Sequence, residues 1–163
     1  MLKFLTFDPR TIPEEGITIC GEITFTELDI PQSDRMEPAE ALSLEITVHP
    51  VQGAVLAQGR AETVLRCRCD RCLTYFDYQL LVKNICHYYK LEEVEHVDLT
   101  NDVREDILLS LPQQRILCQE DCRGLCQLCG QNLNVRECGC DLSVNLGSEW
   151  DKLDELSRIL HQN

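Results

Sequence analysis

Six of the chain's 11 cysteines crowd between Cys118 and Cys140, in L-C-Q-E-D-C-R-G-L-C-Q-L-C-G-Q-N-L-N-V-R-E-C-G-C. Thiolates two to four residues apart, with glycine beside them, suit a tetrahedral metal centre. The chain must turn sharply for four sulfurs to meet one ion at about 2.3 Å. A second cluster, Cys67, Cys69 and Cys72, lies upstream in R-C-R-C-D-R-C-L. The expected chemistry is metal binding, with zinc the first choice. Eight cysteines can fill two four-cysteine sites, and the expected partition joins Cys69 and Cys72 to Cys118 and Cys122, and Cys126 and Cys129 to Cys138 and Cys140. Other foursomes are possible. A closed set of four thiolates leaves no position for water, so two Zn²⁺ ions held this way are structural.

The remaining candidates carry less. Cys67 has the wrong spacing for the pair and reads as a spare or an alternate ligand. Cys20 and Cys86 fall in strand patterns and read as small buried hydrophobes. His49, His87, His96 and His161 stand at no ligand spacing to one another, and Trp150 reads as a packing anchor or part of a partner surface. No Gly-rich phosphate loop, nucleophile elbow or framed carboxylate pair is present, so no catalytic residue is assigned and a non-enzyme is expected.

The elements that must position the cysteines follow from periodicity. Residues 17–28 alternate, with Ile17, Ile19, Ile23 and Phe25 on one side. Pro31–Pro38 is loop-like. Leu42, Leu44, Ile46 and Val48 predict a second strand ending at Pro50, and Val51-Gln52-Gly53 a turn. Residues 54–66, loosened at Gly59, predict a third strand and 74–89 a fourth. Cys67–Leu73 then lies at a hairpin tip, where a Cys-x-x-Cys aims both sulfurs the same way. Val103, Ile107, Leu108 and Leu111 predict a helix over 101–111, with Thr100 or Asn101 as N-cap and Pro112 as its stop. That helix can return the chain to the hairpin tip. Ser148-Glu149-Trp150-Asp151 predicts another helix start. The fold class is therefore α+β: an antiparallel sheet or partly open β-barrel, a zinc-knuckle or zinc-ribbon-like cysteine region, and two short helices. The expected division is 1–112, mainly antiparallel β closing with a helix; 113–147, the metal-binding segment; and 148–163, a C-terminal helix. No internal repeat or low-complexity run is found.

Composition bounds the partners. The formal net charge is −13 over 163 residues, so a phosphate backbone repels the chain at long range. Glu92, Glu93, Glu95, Asp98, Asp102, Glu105 and Asp106 form an acidic belt, while Arg60, Arg66, Arg68 and Arg71 crowd around the upstream cysteines. A knuckle would fix those arginines, and Arg66, Arg68 and Arg71 are the candidates for RNA or partner contact. The opening M-L-K-F-L-T-F-D-P-R-T reads as neither a signal nor a transit peptide, and no apolar run approaches a membrane span. The expected home is the cytoplasm, where thiols stay reduced. A secreted disulfide scaffold is the rival, opposed by the odd cysteine count and the Cys-x-x-Cys spacing.

With C-D-R-C-L at 69–73, D-I-L-L-S-L-P at 106–112, and L-C-Q-E-D-C-R-G-L-C-Q-L-C-G-Q-N-L-N followed by C-G-C, the chain resembles the bacterial YceD family. Its members are described as large-ribosomal-RNA-subunit accumulation proteins. Family members often carry Asp-Pro-Arg-Leu near the C-terminus, where this chain has Glu149-Trp150-Asp151-Lys152-Leu153. The resemblance implies a non-catalytic factor in large-subunit ribosome biogenesis that supports ribosomal RNA accumulation. A basic ribosomal protein or assembly intermediate would be its partner, with RNA touched indirectly or locally, no membrane and no small-molecule substrate. Two other classes compete. One is a direct zinc-ribbon RNA binder. The other is a thiol oxidoreductase using Cys69 and Cys72, with Arg71 lowering a thiol pKa.

Overall fold

The computed structural model describes residues 3–141. The helix expected over 148–163, with Trp150 and His161, lies outside the described residues. Within them the order is β1 (Thr6–Phe7), β2 (Ile17–Ile23), β3 (Met36–Pro38), β4 (Leu42–Val51), β5 (Ala54–Arg68), β6 (Tyr75–Lys90), β7 (Val97–Asp98) and α1 (Thr100–Ser110).

The long hairpin β5–β6 is the spine. It pairs from Ala54↔Lys90 to Arg68↔Tyr75. The other side of β5 is shared: β4 pairs with its first half and β3 with its far end, through Met36↔Cys67. Outside β4 lies β2. All these pairings are antiparallel, and β2 does not pair with β6 among the described residues, so the sheet is open and not a closed barrel. A separate two-stranded ladder joins β1 to β7.

Alternation sets the two faces. Leu44, Ile46, Val48, Val55, Ala57, Ala61, Leu65, Leu80, Val82 and Ile85 point to one side and are buried. Between the pairs Gly59↔Ile85 and Ala61↔Val82, β6 takes one residue more than β5. This bulge explains why the buried positions skip from Val82 to Ile85, and why His87 and Tyr89 then share the inner side. Gly59 sits opposite the bulge against β4. A Cβ there would overlap the Glu45 carbonyl oxygen and lie 2.7 Å from Ile46 Cα.

Helix α1 closes the inner face with Val103 and Ile107 fully buried. Its start differs from the expected one. The N-cap is Leu99, and Asp98 Oδ1 accepts from the Thr100 amide (3.0 Å) and hydroxyl (2.6 Å). Two polar contacts fasten α1 to β6: His87 Nε2 lies 2.7 Å from Asp106 Oδ2, and Tyr89 donates to Asp102. Three acids of the belt, Asp98, Asp102 and Asp106, are therefore part of the fold. Arg104 donates to the Asp29 carbonyl at 3.2 Å and ties the helix to the turn after β2.

Three further expectations need correction. The strand predicted over 17–28 stops at Ile23, because Thr24-Phe25-Thr26-Glu27 closes a reciprocal cap: Glu27 Oε2 accepts from the Thr24 amide (2.8 Å), and Thr24 Oγ1 from the Glu27 amide (3.2 Å). The Pro31–Pro38 loop contains β3, a three-residue edge strand created by pairing with β5. Cys20 and Cys86 are exposed, since their strand positions put them on the uncovered face of the sheet.

Gly59→Ala is expected to cost about 1–3 kcal/mol by forcing β4 and β5 apart. Urea unfolding checks this; an unchanged midpoint would show that the sheet relaxes without cost.

Candidate metal centre

The β5–β6 tip carries Cys69 and Cys72, and α1 returns the chain to it, as the sequence predicted. The Asp70 amide donates to the Ile116 carbonyl (2.8 Å) and the Ile116 amide returns to Asp70 Oδ2 (2.9 Å). Ile116 is buried in the sheet's core, so this pair delivers Leu117 and Cys118 to the tip in a fixed register. The same carboxylate takes both oxygens' bonds from Arg35 Nη2, at 3.0 and 2.9 Å. The Ile116 amide first, and then Arg35 and Arg68, hold the Asp70 carboxyl below its usual range against partial burial.

Four sulfurs meet there. Cys69, Cys72, Cys118 and Cys122 have ligand atoms all within 4.8 Å of one another. Cys69 Sγ lies 3.7 Å from Cys122 Sγ, and Cys72 Sγ 3.6 Å from Cys118 Sγ. The edge of a tetrahedron with metal–sulfur distances of about 2.3 Å is about 3.8 Å, so these spacings fit a zinc-sized ion. Cys126, Cys129, Cys138 and Cys140 form the second group, also within 4.8 Å. Cys67 joins neither group; it is fully buried in the sheet's core, at the register of Met36 and Phe76.

Sequence inspection finds no repeat, yet the two Cys-x-x-Cys turns are built alike. The Leu73 amide donates to the Cys69 carbonyl (2.9 Å) and the Gly130 amide to the Cys126 carbonyl (2.9 Å). One residue on, the carbonyls of Thr74 and Gln131 accept from the amides of Cys69 and Cys126. Leu73 (φ 59°) and Gly130 (φ 71°) occupy matching left-handed positions. Glycine does this without strain, whereas leucine pays about 1–2 kcal/mol. A knuckle that keeps leucine there has its conformation imposed by the surroundings.

The amides inside each turn point at the first sulfur. Burial drives the Cys69 thiol upward, but the Cys72, Cys118 and Arg71 amides outweigh it and bring it down to about 6. The Cys129 and Leu128 amides likewise lower Cys126 to about 6. Other members are driven the opposite way. Burial and then the Cys72 and Cys122 sulfurs push Cys118 up to about 12. The Cys129 sulfur, followed by burial, pushes Cys140 up to about 12. Within each group, amides pull one thiol down while neighbouring sulfurs and burial push another up. A divalent cation resolves that conflict, because it favours all four deprotonated sulfurs at once.

The arginines divide. Arg66 lies over the Tyr75 ring (5.6 Å to the centroid), Arg68 faces Asp34 at 3.6 Å, and Arg71 is exposed at the knuckle. Sequence reasoning missed Asp70, Asn132 and Asn134 as supporting residues. C-D-R-C held a signal for Asp70, since a carboxylate inside a knuckle can accept a backbone amide; the asparagines read only as turn formers.

Asp70→Ala is expected to free the 116–118 segment, seen as faster amide exchange at Ile116 and easier metal loss from the first group, with exchange in the sheet unchanged. Because the folded carboxyl titrates below its unfolded value, this contribution is complete above the ordinary carboxylate range. It disappears as pH falls through the lowered value. Cys72→Ser should loosen the hairpin tip and its tie to the segment after Pro112, and Cys129→Ser the 126–140 turns. Identical exchange patterns in the two variants would contradict two sites.

No curated protein and no solved structure matches the chain. Residues 87–157 match a family model described as "Large ribosomal RNA subunit accumulation protein YceD". That stretch carries α1 and six of the eight grouped cysteines, so this part of the chain is similar to the YceD family.

Proposed function

We propose that the chain is a non-catalytic, cytoplasmic factor in large ribosomal subunit biogenesis, folded around two structural zinc ions and supporting accumulation of large-subunit ribosomal RNA. The observation that carries this reading is a family-matching segment whose cysteines complete one four-thiol group with a sheet hairpin and form a second by themselves. Zinc suits all-sulfur tetrahedral sites, in which no open position remains for a reacting water. The same grouping weakens the oxidoreductase reading, because Cys69 and Cys72 each have two further thiols as neighbours. Elemental analysis of protein purified without chelator should give about two zinc ions per chain. One ion would refute the second site, and none would refute the metal reading.

The charge pattern favours a basic protein partner docking before RNA. Net charge is −13, and Glu92, Glu95 and Glu105 remain exposed after the fold has used Asp98, Asp102 and Asp106. Such a surface accelerates encounter with a basic partner at low salt. Arg66, Arg68 and Arg71 then supply local RNA contact beside the knuckle. Arg66 over the half-exposed Tyr75 favours this role, since a guanidinium and an aromatic ring can each stack on an unpaired base. Binding to pre-ribosomal particles should therefore exceed binding to naked large-subunit ribosomal RNA. Tight, salt-sensitive binding to naked RNA, abolished by Arg68→Glu, would instead support the direct RNA binder.

A further inference from the structure

The loop between Cys129 and Cys138 belongs by sequence to the second group, yet its side chains serve the first. Asn134 Nδ2 donates to Cys122 Sγ at 3.3 Å. Its Oδ1 accepts from the Arg123 amide at 2.7 Å, which fixes the residue next to Cys122. Asn132 Nδ2 donates to Thr74 Oγ1 at 3.1 Å, and the Thr74 hydroxyl and amide both donate to the Cys72 sulfur. Asn132 Oδ1 in turn accepts from the backbone amide (2.9 Å) and side chain (3.0 Å) of Asn134, so the two asparagines form one unit. Backbone bonds complete the seam: Leu125 to the Arg71 carbonyl at 3.2 Å, and Leu133 to the Gly124 carbonyl at 2.9 Å.

Two sulfurs of the first group, on different chain segments, therefore take support from a loop whose ends are held by the second. We propose that the two sites bind metal cooperatively, with Asn134 and Asn132 as positioning residues that convey occupancy of the Cys126/Cys129/Cys138/Cys140 site to the Cys69/Cys72/Cys118/Cys122 site. Closing the second site fixes the 130–137 loop, and the fixed loop presents its amides to Cys122 and, through Thr74, to Cys72. An N–H donated to a metal-bound thiolate disperses its charge and orients it, and loss of such outer support commonly costs 10–100-fold in metal affinity. Coupling of this kind is reciprocal, so filling the first site also favours the second. This inference rests on the metal reading above.

The test uses the full chain loaded with zinc, titrated with a chelator, with cysteines released from metal alkylated and mapped by mass spectrometry. Asn134→Ala removes the donor to Cys122 and the acceptor for Arg123. Asn134→Asp keeps the acceptor and replaces the donor by a carboxylate beside a thiolate. Both should release Cys69, Cys72, Cys118 and Cys122 at about 10–100-fold lower chelator concentration, Asp more than Ala. Amide exchange in β4–β6 should stay unchanged, which excludes general unfolding. Cys129→Ser should weaken the first site by a similar factor although it supplies no ligand there. First-site release unchanged in both asparagine variants and in Cys129→Ser, with two zinc ions bound to the parent protein, overturns the coupling and leaves the metal reading standing. A parent protein that takes up no zinc overturns both.

Discussion

The segment after α1 has little apolar material with which to hold itself to the sheet. Beyond Ile116 its buried residues are Cys122, Gly124 and Cys126, with Leu117 and Cys118 packed partly against the hairpin tip. Its backbone pairing is sparse: one antiparallel bridge, Leu125↔Asn132, joins turns that otherwise close on themselves. Conformational entropy of about 1–2 kcal/mol per ordered residue must be offset by something other than an apolar core. Four thiols from two distant stretches come close enough to share one cation, and a shared cation would supply that term. Structural zinc in small peptides contributes an apparent ~10–16 kcal/mol, the same scale as the whole stability of a domain. The Asp70–Ile116 pair matters because it sets the register in which this convergence occurs.

The sheet stands on a different footing. Its inner face, α1 and the β1–β7 ladder enclose a continuous set of buried aliphatic residues from Leu5 to Ile116. The two regions meet at a narrow seam between the 69–74 tip and the loops at 116–125 and 131–134. Polar groups at such a seam contribute little if exposed, but here they donate to sulfur or to knuckle carbonyls, where a missing partner is expensive. The asparagines between Cys129 and Cys138 are thus tied to both knuckles.

Much of this was legible in sequence because its causes are local. Period-two alternation marked β4, β5 and β6, and helical spacing marked α1 up to Pro112. Cysteine spacing marked the knuckles, and the expected foursomes are the ones whose sulfurs come together. What escaped depended on tertiary placement. Nothing in Met36-Glu37-Pro38 encodes a strand until β5 offers its edge. Cys20 and Cys86 have strand neighbours like any buried residue, and only the uncovered sheet face leaves them exposed. The cap at Thr24–Glu27 is written in the sequence as a Thr-x-x-Glu pattern, but the apolar Phe25 and Leu28 are equally compatible with a continuing strand. Both residues are indeed buried, from a turn.

The acidic belt shows how a charge run divides once folded. Asp98 accepts from Thr100 at the start of α1, while Asp102 accepts from Tyr89 and Asp106 faces His87, and these last two secure the helix to β6. Burial, and then the Asp102 carboxylate, raise the Tyr89 phenol well above its ordinary value, which keeps it a donor throughout the physiological range. Glu93 is paired with Lys90 at 2.9 Å on the surface, where such a bond contributes little. The carboxylates left for a partner are fewer than the sequence suggests, and they flank the end of β6, whereas the arginines cluster at the opposite end of the hairpin beside the knuckle. A hairpin of 15- and 16-residue strands separates Glu92 and Glu95 from the arginines at its tip, where Asp34 and Asp70 also sit. That separation exceeds a Debye length of about 8 Å at physiological salt, so the fields at the two ends act largely independently.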